Sequence, residues 1–431
     1  MLDSSGRTAA ELIMAMSCIA WFSPISSEVI CRQSRRTLVV DVKSLLSSAA
    51  GPEGGDSGSR TRVVISQQRP CRSLRPPMHR RLFYSATAAL LVSAVLARPM
   101  ANETATKTTP LAAAAAAPPN CFPAIGFNMP ASVPNSLKNW WCDYASEYAF
   151  VGFSYEVTAC QDRGTLVSEF TDIRQTFNGR YVRLYGACDR TGFYDDVVEA
   201  AWEAGIGVHA LIWFGFDGGN QWKTRRTALF KTLHSNPKAK FVTRALQFGS
   251  EPLYDGVLSE SDLANQVLAA KANLSGLGIP VTISEMAYGY QSNGGAQDVL
   301  DAIDIIDAHM LPFFSTKAST GSKSWPIVLT DLDWFVANGE GKKIYLTENG
   351  WPSTTYDGVS PNSPSAVANV QSEQQYYKVL DQHCSYFKNV PNGGGSVGWF
   401  WHIYSDDMEP GYGLYNTNGN LKFPFSPQTS C

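Results

Sequence analysis

Between residues 121 and 431 the chain keeps repeating one unit: a short apolar strand, a turn, then a helix. Hydrophobic periodicity predicts strands at 124–129, 181–185, 208–213, 245–248, 281–284, 305–310, 344–347 and 397–401. Helical segments separate several of them. The stretch "GFYDDVVEAAWEAG" sets Val197, Val198, Ala201 and Trp202 on one face and stops at Gly205. The stretch from Ser259 opens with the capping pattern Ser259-x-x-Asp262 and ends in Gly276 and Gly278. Strands that alternate with helices pair in parallel, and eight of them close a barrel. The fold class expected is therefore α/β, a (β/α)8 TIM barrel forming a single catalytic domain. A doubly wound open sheet is the alternative, but no Gly-rich nucleotide loop follows the first strand.

The region before this domain has a different composition. Residues 1–77 are rich in Ser, Arg and Gly without sustained periodicity, and read as a disordered or mispredicted extension. Residues 78–97, "MHRRLFYSATAALLVSAVLA", carry the basic start, apolar centre and small-residue end of a secretory signal peptide. A signal-anchor with a cytoplasmic tail is the rival reading. Residues 98–120 form a Thr/Ala/Pro-rich linker. The domain boundaries are thus 1–77, 78–97, 98–120 and 121–431.

Six cysteines fall after residue 120, an even set that predicts disulfides in a secreted protein. Asn102-Glu-Thr and Asn273-Leu-Ser are N-glycosylation acceptors. The final "SPQTSC" has no hydrophobic tail, so no GPI anchor is expected. Net charge is +6 over the first 97 residues and −9 over the rest. An acidic body excludes nucleic acid and anionic membrane as natural partners, because phosphate binding needs a basic face. The histidines show no HExxH or HxH spacing and the cysteines no CxxC pair, so neither metal nor other cofactor is expected.

In a (β/α)8 barrel the chemistry sits where strands end and βα loops begin. Three glutamates occupy such exits: Glu251 after the fourth strand, Glu285 after the fifth and Glu348 after the seventh. Glycosidic bonds are cleaved by two carboxyl groups, one protonated and one ionised, and a spacing of roughly 5–5.5 Å retains anomeric configuration. Glu251 is assigned as acid/base and Glu348 as nucleophile. Glu285 is assigned to sugar hydroxyls, with a place in the pair or a structural salt bridge as alternatives. Aromatic side chains crowd the same exits, and sugars stack on such rings. Trp351 and Trp401 are the expected subsite walls.

Four segments resemble glycoside hydrolase family 17, the β-1,3-glucanases. "YLTENGWPS" (345–353) resembles its nucleophile segment, "VRLYG" (182–186) its second strand, "FGSEPLY" (248–254) its acid/base segment and "GWFWHIYSDDMEPGYGLYNTNG" (398–419) its closing strand. The resemblance runs through most of 121–431. It implies a (β/α)8 barrel and retaining attack on β-1,3-glucan, with Glu348 as nucleophile, Glu251 as acid/base and Tyr185 as a site residue. The likeness to secreted fungal members implies a monomer in the cell wall acting on wall glucan by hydrolysis and by glucanosyl transfer. Two positions depart from the pattern. Ser250 stands where relatives carry an Asn that contacts the sugar, and keeps a donor and an acceptor. Leu311 stands where a Tyr or His precedes the proline, and His309 shares its strand face. A glycosidase for another β-glucan such as β-1,6, and a non-catalytic glucan-binding wall protein, are the competing functions. A pure binder has no need of both Glu251 and Glu348.

Overall fold

The computed structural model describes residues 28–33, 36–41 and 120–431, apart from 357, 392 and 393. Residues Glu28–Gln33 and Arg36–Asp41 form an antiparallel pair of strands. The rest of 1–77, the expected signal at 78–97, Asn102 and all but the last residue of the 98–120 linker lie outside the described residues.

Eight parallel strands close into a barrel. They are β1 Ala149–Glu156, β2 Tyr181–Tyr185, β3 Gly207–Leu211, β4 Thr243–Ser250, β5 Val281–Met286, β6 Ile306–Met310, β7 Ile344–Asn349 and β8 Val397–Trp401. The main helices are α1 Arg163–Thr176, α2 Phe193–Ala204, α3 Gln221–Ser235, α4 Glu260–Leu274, α5 Gln297–Ala302, α6 Trp325–Asn338 and α7 Val370–Gln382. The cap signals act as the sequence implies. Gly205 ends α2 in the left-handed conformation, and Ser259 accepts from the Asp262 N–H at 3.2 Å to start α4. Among the described residues no helix is long and apolar enough to cross a membrane.

One strand assignment is corrected. Residues 124–129 hold one turn, at 125–126, and no strand; the first strand is Ala149–Glu156, "AFVGFSYE", buried along all but its last residue. A parallel strand covered on both faces reads as an unbroken apolar run, without the alternation that marks a half-exposed strand. The displaced segment lies in the N-terminal stretch, where Phe122 stacks on Trp140 at 5.2 Å and the Trp140 indole donates to the Phe241 carbonyl. Disulfides Cys121–Cys142, Cys160–Cys188 and Cys384–Cys431 use all six cysteines of the domain. The second links the loops that follow β1 and β2, at the mouth.

Side chains alternate in and out along each strand, so every second residue enters the barrel. The outward set packs under the helices as the main apolar core. The inward set is apolar only at the floor, where Val151, Tyr181, Ala245, Ile305, Tyr345 and Phe400 meet. Above them His209 pairs with Asp307 at 3.0 Å. Toward the mouth the lining is polar: Arg183, Gln247, Ser284, Thr347 and His309 are all buried. Burying so many polar groups is costly unless each is hydrogen-bonded, which points to a use for them at that end.

Candidate active site

Two irregularities in the strands aim the mouth residues inward. Between β6 and β7, Ala308 pairs with Leu346 and His309 with Glu348, which leaves Thr347 as an extra residue. Between β4 and β5, Gln247 pairs with Thr282 and Ser250 with Ser284, again with one residue too many on β4. Each bulge turns a side chain that strict alternation would place outside. Gly249 makes the second one possible. Its φ is +104°, and a Cβ there would meet the Phe214 ring at 2.8 Å.

Arg183 organises what these bulges bring together. Its Nε donates to Gln247 Oε1 at 2.7 Å, Nη2 to Ser250 Oγ at 2.8 Å and to Ser284 Oγ at 2.9 Å, and Nη1 to Glu348 Oε1. Ser250 Oγ donates to the same Glu348 oxygen at 2.9 Å. Burial would raise the pKa of Glu348. His309, Arg183 and His402 nearby, with the Arg183 hydrogen bond, outweigh it and hold this carboxyl at about 2. Glu348 is therefore ionised at any ordinary pH. Among the described residues Oε1 takes the hydrogen bonds and ion pairs of Glu348, and Oε2 has no hydrogen-bond partner.

Glu251 follows β4 directly and has φ +53°, a left-handed conformation that glycine adopts freely and glutamate does not. His309 Nδ1 lies 2.8 Å from its Oε1. Oε2 again has no protein partner among the described residues, and about a quarter of the side chain is exposed, at 23%. One oxygen of Glu251 and one of Glu348 lie within 4.8 Å of each other, with a His309 nitrogen inside the same radius. Two carboxylates and an imidazole at that distance form a ligand set for a cation, but the Arg183 guanidinium already neutralises Glu348 Oε1. The two free oxygens open into a cleft of about 1250 Å³.

Of the other residues expected here, Tyr185 and Ser250 line the cleft. Glu285 does not. It is fully buried, its Oε2 accepting from the N–H groups of Leu253 and Tyr254 at 2.8 and 3.1 Å and its Oε1 from Met286 at 2.9 Å. Burial and the charge of Glu251 push it up to about 8, against those three hydrogen bonds. Its role is to pin the loop behind Glu251, and a Cβ at Gly289 would strike it. Trp351 and Trp401 are also corrected, since both rings have zero exposure and so offer a sugar no face. Trp351 packs on Phe313 and donates to the Val367 carbonyl, and Trp401 packs on Phe423 and Phe425. The walls are other aromatics. Tyr254 and Tyr288 form an exposed pair with centroids 6.2 Å apart, and Trp213 carries Tyr185 on one side and Phe216 on the other, each at 5.1 Å.

Sequence reading missed Arg183, although a charge between Val182 and Leu184 on a strand, in phase with Tyr185, was a signal for an interior position. It also missed a second group on the cleft, where His402 Nε2 donates to Glu409 Oε2 at 2.9 Å beside Tyr412. Leu311 lines the cleft as well, and His309 alone from that strand reaches the carboxylates.

Comparison with known proteins follows the same outline. Residues 150–407 match the model of the BtgE/BtgC glycoside hydrolase domain. No curated protein matches the sequence. Among solved structures, a glycoside hydrolase family 17 β-1,3-glucanosyltransferase from Rhizomucor miehei superposes with TM-score 0.52 at 19% identity, over 65% of this chain and 97% of that one. An active-site mutant of the Rhizomucor miehei enzyme in complex with laminaritriose gives 0.53 at 19% identity, over 64% of this chain and 98% of that one. At that identity the two structures establish likeness of fold.

Proposed function

The chain belongs to the BtgE/BtgC glycoside hydrolase domain family, and on that premise we propose that it is a retaining β-1,3-glucan hydrolase of the family 17 type, with glucanosyl transfer as its second outcome. The observation that carries this reading is the pair Glu251 and Glu348: two carboxyls within 4.8 Å, each with one oxygen held by the protein and one free toward a cleft. So close an approach of the two carboxyls favours direct attack, since an inverting pair stands roughly 6.5–9.5 Å apart to hold a water between its carboxyls. Glu348 Oε2 attacks the anomeric carbon while Glu251 protonates the departing oxygen. The ester to Glu348 is then broken by water or by a second sugar, with Glu251 as base. Arg183 keeps Glu348 ionised and its Oε1 fixed.

The β-1,3 linkage is supported by the 345–353 and 248–254 motifs and by the substrate named for the Rhizomucor miehei enzyme. The cleft exceeds the roughly 300–1,000 Å³ of a small-molecule pocket, which favours an oligosaccharide or polymer. Secretion to the cell wall, through the signal at 78–97, and action as a monomer complete the proposal.

The test is to incubate the enzyme with reduced laminari-oligosaccharides and follow products by proton NMR and by length. The β-anomer must form first, and an α-anomer would overturn the mechanism. Products longer than the donor establish transfer, and shorter ones alone establish hydrolysis. Turnover only of a β-1,6-glucan would reassign the linkage, and binding without turnover would make this a glucan-binding protein.

A further inference from the structure

We infer that His309 is a positioning residue that decides which oxygen of Glu251 carries the catalytic proton. This rests on the acid/base role proposed above for Glu251. The ring is fully enclosed, with no exposed side-chain surface, so its two nitrogens must find protein partners. Nδ1 faces Glu251 Oε1 at 2.8 Å. Nε2 faces Ser284 Oγ at 2.6 Å, Arg183 Nη2 at 3.3 Å and Glu348 Oε1 at 3.3 Å. The short contact at Nε2 is Ser284: its oxygen accepts from Arg183 Nη2, whose two N–H groups are spent on Ser250 and Ser284, and its own hydrogen is available to Nε2. Glu348 Oε1 lies farther off and already accepts from Arg183 and Ser250, so a neutral ring takes its acceptor role at Nε2 and keeps its proton on Nδ1. An imidazolium carries a proton on Nδ1 as well. In either state Nδ1–H donates to Glu251 Oε1.

That hydrogen bond fills the inner oxygen. When Glu251 is protonated, the proton has to sit on Oε2, the oxygen that faces the cleft and has no protein partner. In the first step the Oε2–H proton passes to the glycosidic oxygen as the bond from that oxygen to the anomeric carbon breaks and Glu348 Oε2 bonds to the carbon. Glu251 is left as a carboxylate, still receiving Nδ1–H on Oε1. In the second step a water or sugar hydroxyl gives its proton to Oε2 as its oxygen displaces Glu348. His309 gains and loses no proton in the cycle. It removes the unproductive isomer in which the acid proton points into the barrel.

The experiment uses two neutral replacements that mimic opposite ends of the ring. Asn at 309 puts its amide nitrogen near the place of Nδ1, and Gln puts its amide near that of Nε2. His309→Asn should keep kcat on unactivated laminari-oligosaccharides within about tenfold, while His309→Gln should lose about a hundredfold, the low end of what general acid catalysis supplies. Formation of the glycosyl-enzyme from a dinitrophenyl β-laminaribioside, whose leaving group needs no proton, should fall less than threefold in both. Equal losses on both substrates, or Gln outperforming Asn, would overturn the inference. Nitrogen-15 NMR of the unmodified enzyme gives an answer that no folding defect can obscure: Nδ1 must be protonated, and a bare Nδ1 would refute it. Glu251→Ala separates the two levels. If this variant keeps normal turnover of laminari-oligosaccharides, the acid/base assignment itself fails. If it loses them, and azide restores dinitrophenyl-glycoside turnover, while His309→Gln matches the parent, only the role of His309 fails.

Discussion

The floor and the mouth of this barrel each bury a glutamate against arginine, and they differ in how many carboxylate oxygens the protein takes. At the floor, Glu147 has both taken. Oε1 accepts from Tyr181 at 2.7 Å and lies 3.1 Å from Arg244, and Oε2 accepts from Tyr345. Lys343 closes the space beside it, donating to the carbonyls of Tyr144, Glu147 and Ser396 at 3.0, 2.6 and 2.8 Å, and burial pulls its pKa down to about 7. At the mouth, Glu348 and Glu251 each have one oxygen taken and one left over. Burial and a shifted pKa therefore do not mark a reactive carboxylate by themselves, since structural ion pairs show both. An unfilled lone pair at the edge of a cleft marks one.

The largest effect that tests this contrast is expected at Glu348. Glu348→Gln should lower kcat by about ten-thousandfold or more, as loss of a nucleophile does, while laminarin binding measured by calorimetry stays near that of the parent. Residual activity above about a tenth would remove Glu348 from the mechanism. The same replacement at the floor should do the reverse. Glu147→Gln leaves Arg244, Lys343 and Arg180, whose Nη2 lies 3.8 Å from Glu147 Oε1, without their buried counter-charge, so stability in urea should drop by roughly 3–5 kcal/mol, with kcat of the folded fraction unchanged. A catalytic defect without lost stability would erase the distinction between the two ends.

The acid response gives a smaller effect with a definite sign. Glu348 has its pKa depressed in the folded state, so its ionised form adds stability above the ordinary glutamate value of 4.5, and that contribution fades as pH falls toward about 2. The difference in unfolding free energy between the parent and Glu348→Gln should shrink across that window and stay flat from pH 5 to 7. A gap that widens on acidification would contradict the charge network around Arg183. The smallest effect belongs to the cleft wall. Tyr254→Ala or Tyr288→Ala should raise KM for long laminari-oligosaccharides by about two- to tenfold, the worth of one aromatic contact, with little change for the shortest substrate. An equal change for all lengths would place the pair outside the binding path.

The sequence was most informative where local chemistry and position coincide. Glu348 is legible because a carboxylate ends an apolar strand before Asn-Gly-Trp-Pro, and Glu251 because its strand is fourth of eight. Seven strands stood where periodicity placed them, and the misplaced first one kept the count, so both exits kept their rank. What stayed hidden depends on ring direction and register. Trp351 lies three residues from Glu348 along the chain, yet points into the packing around Phe313, away from the cleft. Glu348 turns in beside His309 because Thr347 is skipped in the pairing of β6 with β7, a detail no alternation pattern encodes. Arg183 needed the closed barrel to show that its four partners come from three other strands.

The left-handed backbone at Glu251 carries an evolutionary consequence. Glycine there would relieve on the order of 1–3 kcal/mol of strain, so with Glu251 in its proposed acid/base role the position trades fold for chemistry at every generation. A laboratory selection that rewards heat resistance alone would drift toward glycine at 251 and recover a sturdier, inert barrel. Breeding a hardier enzyme from this scaffold requires scoring sugar turnover in the same round.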